Sequence, residues 1–469
     1  MTDRFGLDSN QLQSIVAEGM RGGGDWCDLY FEDTSYCDLL LRDSEVSSGG
    51  FHVDYGCGIR VLKGDRTGYA YSETCDLPSL LGAARSAACI AQSGAQAGKA
   101  FAATPLRRPG NDFYPMKEDW RRADAASFVE MLRRLDADIR SRDSRVLKVV
   151  AMLSYSTSQI LMYNSLGELT EDFRPLGSVS VTVVFKQGEQ IEKNSVSRSL
   201  RMGSEMLSAE VFGDLASRAV AGLDERFAAR RPKGGKMKVV MGAGASGILL
   251  HEAMGHAFEA DFNRKGQSIF SDRMGSRICR KGINIIDDGT LCASRGAVNY
   301  DDEGVPGQKT YMVEDGVLSS YLHDRISARW FGVAPTGNGR RESFRYNPIP
   351  RMRATYMESG SDGTLQDLIG SVDKGIYVDQ FSNGQVKIGE GDFTFYVKSG
   401  FLIEKGRLTM PVKDINIIGN GPQALADIEA VASDLRIDEG TWTCGKEQSV
   451  PVSCGIPSVL IKNLTVGGE

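Results

Sequence analysis

At 469 residues, 41% of them apolar and 25% charged, the chain has the composition of an ordinary folded protein with core enough for two or three domains. A net charge of −6 argues against electrostatic binding of nucleic acid, and no apolar run approaches the roughly 20 residues of a membrane span. Residues 1–10 are polar and lack a signal-peptide core, so a cytoplasmic protein with no membrane partner is expected.

Residues 9–20 form an amphipathic helix candidate. Segments 26–33, 36–43, 50–62 and 66–72 alternate or carry β-formers between Gly and Asp breaks, which predicts an antiparallel meander. A helix is expected at about 77–92, a connector at 104–110 and a helix at 118–141. Strands follow from about 146 to 200, with turns at Asn164 and Gly188. A long helix over 204–229, capped by Ser204, leads to the boundary Arg231-Pro232-Lys233-Gly234-Gly235. Nine cysteines form no C-x-x-C pair; Cys27, Cys37, Cys57, Cys75 and Cys89 read as reduced core thiols.

Beyond that boundary the chain is rich in glycine and β-formers. Asp287-Asp288-Gly289, Glu314-Asp315-Gly316 and Asn383-Gly384 read as tight turns, the last two as hairpins. Helices are expected at 244–260, 363–371 and 420–432. The fold class is therefore α+β with two domains. Residues 1–230 form an N-terminal α/β domain with an antiparallel sheet and a sub-boundary near 105–117. Residues 231–469 form a Gly-rich, β-rich C-terminal domain that carries the metal-site helix.

That helix holds the densest chemistry, His251-Glu252-Ala253-Met254-Gly255-His256. The chain has four histidines, and two stand here beside a carboxylate. Neutral imidazoles bind metal, and a nearby carboxylate can take a proton from a metal-activated water. The histidines are five apart, not the four of H-E-x-x-H. Five steps of a regular helix turn about 500° and leave the rings about 140° apart. Sharing one ion therefore requires a π-bulge, with Gly255 expected to supply backbone freedom. Two unrelated helical histidines are the bland alternative; their scarcity elsewhere and Glu252 argue against it. The preceding Gly242-Ala243-Gly244-Ala245-Ser246-Gly247 superficially resembles a dinucleotide fingerprint but lacks its βαβ setting, so its glycines read as close approach to neighbouring backbone.

Catalytic zinc usually takes three protein ligands. On chemistry alone Cys444 ranks first, as a thiolate on a Cys–Gly step, then Glu259, then Cys454 and His323; Asp261 lies two positions past Glu259. A half-buried thiol without a role is the alternative for each cysteine.

Several segments together resemble the TldD/PmbA family, the modulator-of-gyrase or TldD-type metalloproteases. They are the hexamer with Glu259-Ala260-Asp261-Phe262-Asn263-Arg264, then Asp301-Asp302-Glu303-Gly304-Val305-Pro306-Gly307-Gln308, then Pro335-Thr336-Gly337-Asn338-Gly339-Arg340-Arg341-Glu342-Ser343. Pro350-Arg351-Met352 with Thr355-Tyr356-Met357, Cys444-Gly445-Lys446-Glu447 and Leu464-Thr465-Val466-Gly467-Gly468 complete the set. The likeness is dense over 237–469 and thinner before. Its intact H-E-x-x-x-H is similar to the catalytic TldD branch, not to the PmbA/TldE branch that lacks it.

The resemblance implies one Zn2+ held by His251, His256 and Cys444, with Glu252 as general base. The family pattern C-G-K-x-G-Q is one residue longer than Cys444-Gly445-Lys446-Glu447-Gln448, a change behind the ligand. Glu259 is expected to orient a ligand histidine, and Tyr356 or His323 to serve as an oxyanion donor. The implied substrate is a small or unfolded peptide, bound extended by strand addition. The implied partner is a TldE/PmbA-like paralogue in a heterodimer, or a second copy in a homodimer. The alternative function is a non-enzymatic, protein-binding modulator with a structural metal.

Overall fold

The computed structural model describes residues 2–90, 99–387 and 389–468. Its first half is built on six strands: β1 (Trp26–Arg42), β2 (Glu45–Lys63), β3 (Arg66–Ser72), β4 (Val146–Asn164), β5 (Leu169–Gln187) and β6 (Gln190–Leu200). They pair antiparallel in the order β3-β2-β1-β4-β5-β6.

Period-two alternation gives this sheet two different buried faces. On one face Leu29, Phe31 and Ile59 pack under Leu12, Ile15 and Leu80 of the helices Ser9–Met20 and Leu77–Ile90. Further along, Leu153, Val181 and Val183 pack under Leu132, Leu135 and Leu215 of Ala125–Arg142 and Ala209–Val220. The other face of β1 and β4 meets the second half of the chain: Tyr30, Ile160 and Met162 cluster with Tyr300 and Phe344. Ions are buried at this junction in pairs. Arg60 bridges Asp28 at 2.6 Å and Glu303 at 2.7 Å. Arg174 bridges Asp172 at 2.7 Å and Asp302 at 2.6 Å. Pairing is what makes such burial tolerable.

Several expected boundaries move. Segments 26–33 and 36–43 are one strand, because Asp33-Thr34-Ser35 holds no Gly or Pro and the Thr34 hydroxyl donates to Glu32. The reversal comes instead at Asp43 and Ser44, with φ of 50° and 65°. The helix expected at 77–92 runs to Ile90; positions 91 and 92 lie outside the described residues. The helix expected at 118–141 is a 3-10 turn, Trp120–Arg122, and then Ala125–Arg142 capped by Asp124. The long helix over 204–229 is three pieces: Ser208, not Ser204, caps Ala209–Val220, and Gly222 at φ 64° breaks the chain before Leu223–Ala228. Of the expected core thiols, Cys37 is half-buried and Cys89 exposed.

The second half is a barrel with a smaller sheet beside it. Strands Gly235–Met241, Lys374–Val386, Asp392–Glu404, Asn416–Asn420 and Val459–Gly467 pair around a closed ring. Glu314-Asp315-Gly316 turns a hairpin with φ of 49° and 79°. Asn383-Gly384 does not turn; it lies inside Lys374–Val386. A Cβ on Gly384 would stand 2.1 Å from the Phe395 ring, so this glycine serves close packing. The helix expected at 420–432 ends at Ala426, after which Ile428–Val431 pairs with Val459–Ile461. No helix among the described residues is long and apolar enough to cross a membrane, which says nothing of β-barrels in membranes.

Candidate metal centre

The barrel strand Gly235–Met241 delivers the chain to the hexamer. Gly244 turns at φ 91°, and a Cβ on Gly247 would meet the backbone N, C and Cα of Gly455 at 2.6 to 2.8 Å. These glycines bring the helix against the strand Ser453–Ile456. Gly247→Ala is expected to push the helix off that strand, since backbone on the far side cannot yield, at about 1–3 kcal/mol. A lowered Tm with reduced metal content checks it.

Ile248–Leu250 is α-helical, His251–Gly255 is π-helical and His256–Phe258 is 3-10. The His256 N–H donates to the His251 carbonyl, a bond five residues back. Both rings consequently lie together, with centroids 5.3 Å apart and planes at 79°. Gly255 has ordinary helical angles, φ −57° and ψ −47°, so backbone freedom is not its role. A Cβ there would lie 2.0 Å from Met352 Sδ: the glycine makes room.

The third group arrives from a hairpin. Thr443–Lys446 pairs with Gln448–Pro451 around Glu447 at φ 56°, which closes the shortened loop. Arg351, fully buried, clamps this hairpin by donating to the carbonyls of Cys444, Gln448 and Lys446 at 2.7, 2.8 and 3.3 Å. Cys444 Sγ stands 3.3 Å from His256 Nε2. Ligand atoms of His251, His256 and Cys444 all lie within 4.8 Å of one another.

Electrostatics prepares this trio for a cation. Burial works against charge on Cys444, but the neighbouring imidazoles of His251 and His256 outweigh it and bring the thiol down to about 4. Sulfur is thus in the thiolate form that binds metal. Burial also opposes charge on His256, yet Glu259 and Cys444 lift it to about 10, so without metal it is an imidazolium beside the thiolate, and a binding cation would displace its Nε2 proton. Glu259, fully buried, is held down to about 2, with Lys446 and His256 overcoming its desolvation. As a carboxylate it accepts from His256 Nδ1 at 2.9 Å, which turns Nε2 toward the sulfur. Both ring nitrogens of buried His251 lack a hydrogen-bond partner. Such orphaned groups in a trio of two nitrogens and one sulfur match the donor chemistry of zinc.

Glu252 stands at the open side, its carboxylate 3.9 Å from His256 Nε2 and its side chain 24% exposed. Other candidates fall outside the trio. Glu259 supports His256. Asp261 accepts from Lys446 at 2.8 Å. Cys454 lies in a paired strand, where burial raises its thiol well above the usual range. His323 sits between Tyr321 and Phe331, with ring centroids at 6.2 and 5.4 Å, and burial lowers its imidazole to about 4. The Tyr356 hydroxyl donates to Asp288 at 3.2 Å. Tyr356 is thus engaged with Asp288, and His323 is not among the donors that converge with His251, His256 and Cys444. Lys446 and Arg351 escaped the residue-by-residue reading. Lys446 donates to Glu259 at 3.0 Å and to Pro350 O at 3.3 Å. Their signal was present in the motifs around Cys444 and Pro350, but only contacts across the fold reveal their task.

Comparison with known proteins gives three family matches: the PmbA/TldA metallopeptidase C-terminal domain over residues 234–468, domain 1 over 27–91 and the central domain over 118–224. A metalloprotease TldD homolog of Haemophilus influenzae is 38% identical over 95% of this chain and 93% of its own. A zinc metalloprotease TldD homolog of Saccharolobus solfataricus is 33% identical over 62% of this chain and 65% of its own. The crystal structure of TldE from Thermococcus kodakarensis superposes with a TM-score of 0.74 at 20% identity, covering 98% of this chain and all of that one.

Proposed function

The chain belongs to the PmbA/TldA family and is a metallopeptidase; from that premise we propose that it is a zinc enzyme in which His251, His256 and Cys444 hold the ion and Glu252 is the general base. The observation that carries this reading is the convergence of three donor atoms within 4.8 Å from a π-helical turn and a distant hairpin. When bound, zinc supplies Lewis acidity, polarising the scissile carbonyl and acidifying a water. Glu252 would be the group that accepts a proton from the attacking water and returns it to the leaving amine. Glu259 holds the His256 ring, and Arg351 holds the backbone that carries Cys444. A purely structural site would be closed by a fourth protein ligand, and the group among the described residues has three members.

The proposed substrate is a small or unfolded peptide in extended form. Both six-stranded sheets are open and keep edge strands, and the two-stranded hairpin that carries Cys444 offers an edge beside the trio, where the proposal puts strand addition. The proposed partner is a TldE-like paralogue, or a second copy of this chain. The test is elemental analysis combined with cleavage of an unfolded peptide. The expected result is stoichiometric zinc, hydrolysis lost on chelation, and hydrolysis restored by zinc. Cleavage that persists in fully metal-stripped protein overturns the proposal.

A further inference from the structure

A cavity of about 270 Å³ lies between the non-helical face of the first sheet and the arginine-rich chain around Arg340 and Arg353. Ser449 and Pro451 of the Cys444 hairpin are on its wall. Cys444 pairs with Val450, so strand alternation points its sulfur to one side of the hairpin and Ser449 and Pro451 to the other. The cavity is therefore separate from the trio, one hairpin away.

Its charge is unbalanced. Arg201, Arg340 and Arg353 line it at 6%, 3% and 2% exposure, and none forms an ion pair with a carboxylate among the described residues. The Arg340 guanidinium donates to the neutral carbonyls of Met352 and Pro451 and the Arg353 guanidinium to that of Gly337, while the Arg353 backbone N–H donates to Asp287. Arg201 Nε and Arg353 Nη2 have no hydrogen-bond partner. Three carboxylates line the same cavity and are engaged elsewhere; Glu342 accepts from the Ser449 N–H at 2.6 Å. Asp302 pairs with Arg174 and accepts from the Arg341 N–H. Glu32 accepts from Thr34 and the Phe344 N–H, and burial raises it to about 7. Desolvation lowers all three guanidinium groups, Arg201 to about 10, and neighbouring arginines add to it; Asp302, Asp301 and Asp287 oppose it at Arg353 without overcoming it. An uncompensated buried cation is strongly unfavourable. The chemistry that offsets it here is an oxyanion, which guanidinium forks grip in paired hydrogen bonds.

We propose that this cavity binds a small oxyanion, a carboxylate or phosphate, held by Arg201, Arg340 and Arg353. The volume suits an anionic head group. Two sources share that chemistry: a free small acid, and the terminal carboxylate of a bound peptide. The site is independent of the zinc assignment and is read by binding, not by turnover.

The experiment is thermal unfolding and titration calorimetry of the full chain at constant ionic strength. Probes are inorganic phosphate, succinate, and one uncharged-side-chain peptide with a free or an amidated C-terminus; chloride is the control. The expected result is a saturable rise in Tm that chloride does not give. Arg201→Met and Arg353→Met should each weaken binding about ten- to a hundredfold. Without anion, both should melt at or above the wild-type temperature, since each removes an unpaired buried charge. Arg201→Lys keeps the charge, loses the fork, and should bind with intermediate affinity. A free acid is the ligand if phosphate or succinate binds while the two peptides bind alike. A peptide carboxylate is the ligand if the free-acid peptide binds more tightly and Arg201→Met erases that preference. The proposal is overturned if no probe shifts Tm, or if the shifts survive both methionine substitutions.

Discussion

Glu252→Gln is expected to keep its full complement of metal and to lose peptide hydrolysis by about 10²- to 10⁴-fold. The substitution preserves shape and removes only the ability to accept a proton. Glu252 lies outside the group of three donor atoms, yet its carboxylate is 3.9 Å from His256 Nε2. It is also the part-exposed member of an otherwise buried site, so water can reach it. Metal content by elemental analysis and cleavage of an unfolded peptide are the two readouts. A variant that holds zinc and still cleaves at the wild-type rate would place the base elsewhere.

Cys444→Ala is expected to remove both metal and activity. The thiolate is one of three proposed ligands, and two imidazoles alone leave the ion weakly held. Since the protein support consists of Arg351 bonds to backbone carbonyls, those bonds do not depend on the cysteine side chain. The hairpin should therefore persist, and Tm should change little relative to the metal-stripped wild type. Cys454→Ala is the control: its thiol lies outside the trio, and that variant should retain zinc. Retention of zinc by Cys444→Ala would refute the assignment.

How far the sequence revealed this site depends on how local each piece is. The five-residue spacing of His251 and His256 demands a π turn for a shared ion, and a π turn is what His251–Gly255 forms. That inference needs only helix geometry. Glu259 beside His256 is similarly local. Gly255 was misread because its reason is Met352, a contact set by tertiary packing. The choice of oxyanion donor between Tyr356 and His323 stays open in the sequence for the same cause: nothing in a strand or loop sequence says which way its side chain will face once sheets assemble. In the first half, hydrophobic alternation found the strands, but polar Asp33-Thr34-Ser35 mimicked a break that cross-strand pairing overrides. Helix ends misplaced by a few residues, as at Ser204 and Ser208, reflect two serines of equal capping chemistry, between which packing chooses.

The proposed ligands come from stretches far apart in the chain: His256 and Cys444 are 188 positions from each other. During synthesis both imidazoles emerge long before the sulfur does. The hairpin bearing Cys444 also needs Arg351, and the turn at Gly247 that leads into the π-helix packs against Gly455. Hydrolytic competence on this assignment is thus a property of the finished molecule alone. A nascent or C-terminally clipped chain would be inert, which keeps a peptide-cutting protein harmless until its own folding is complete.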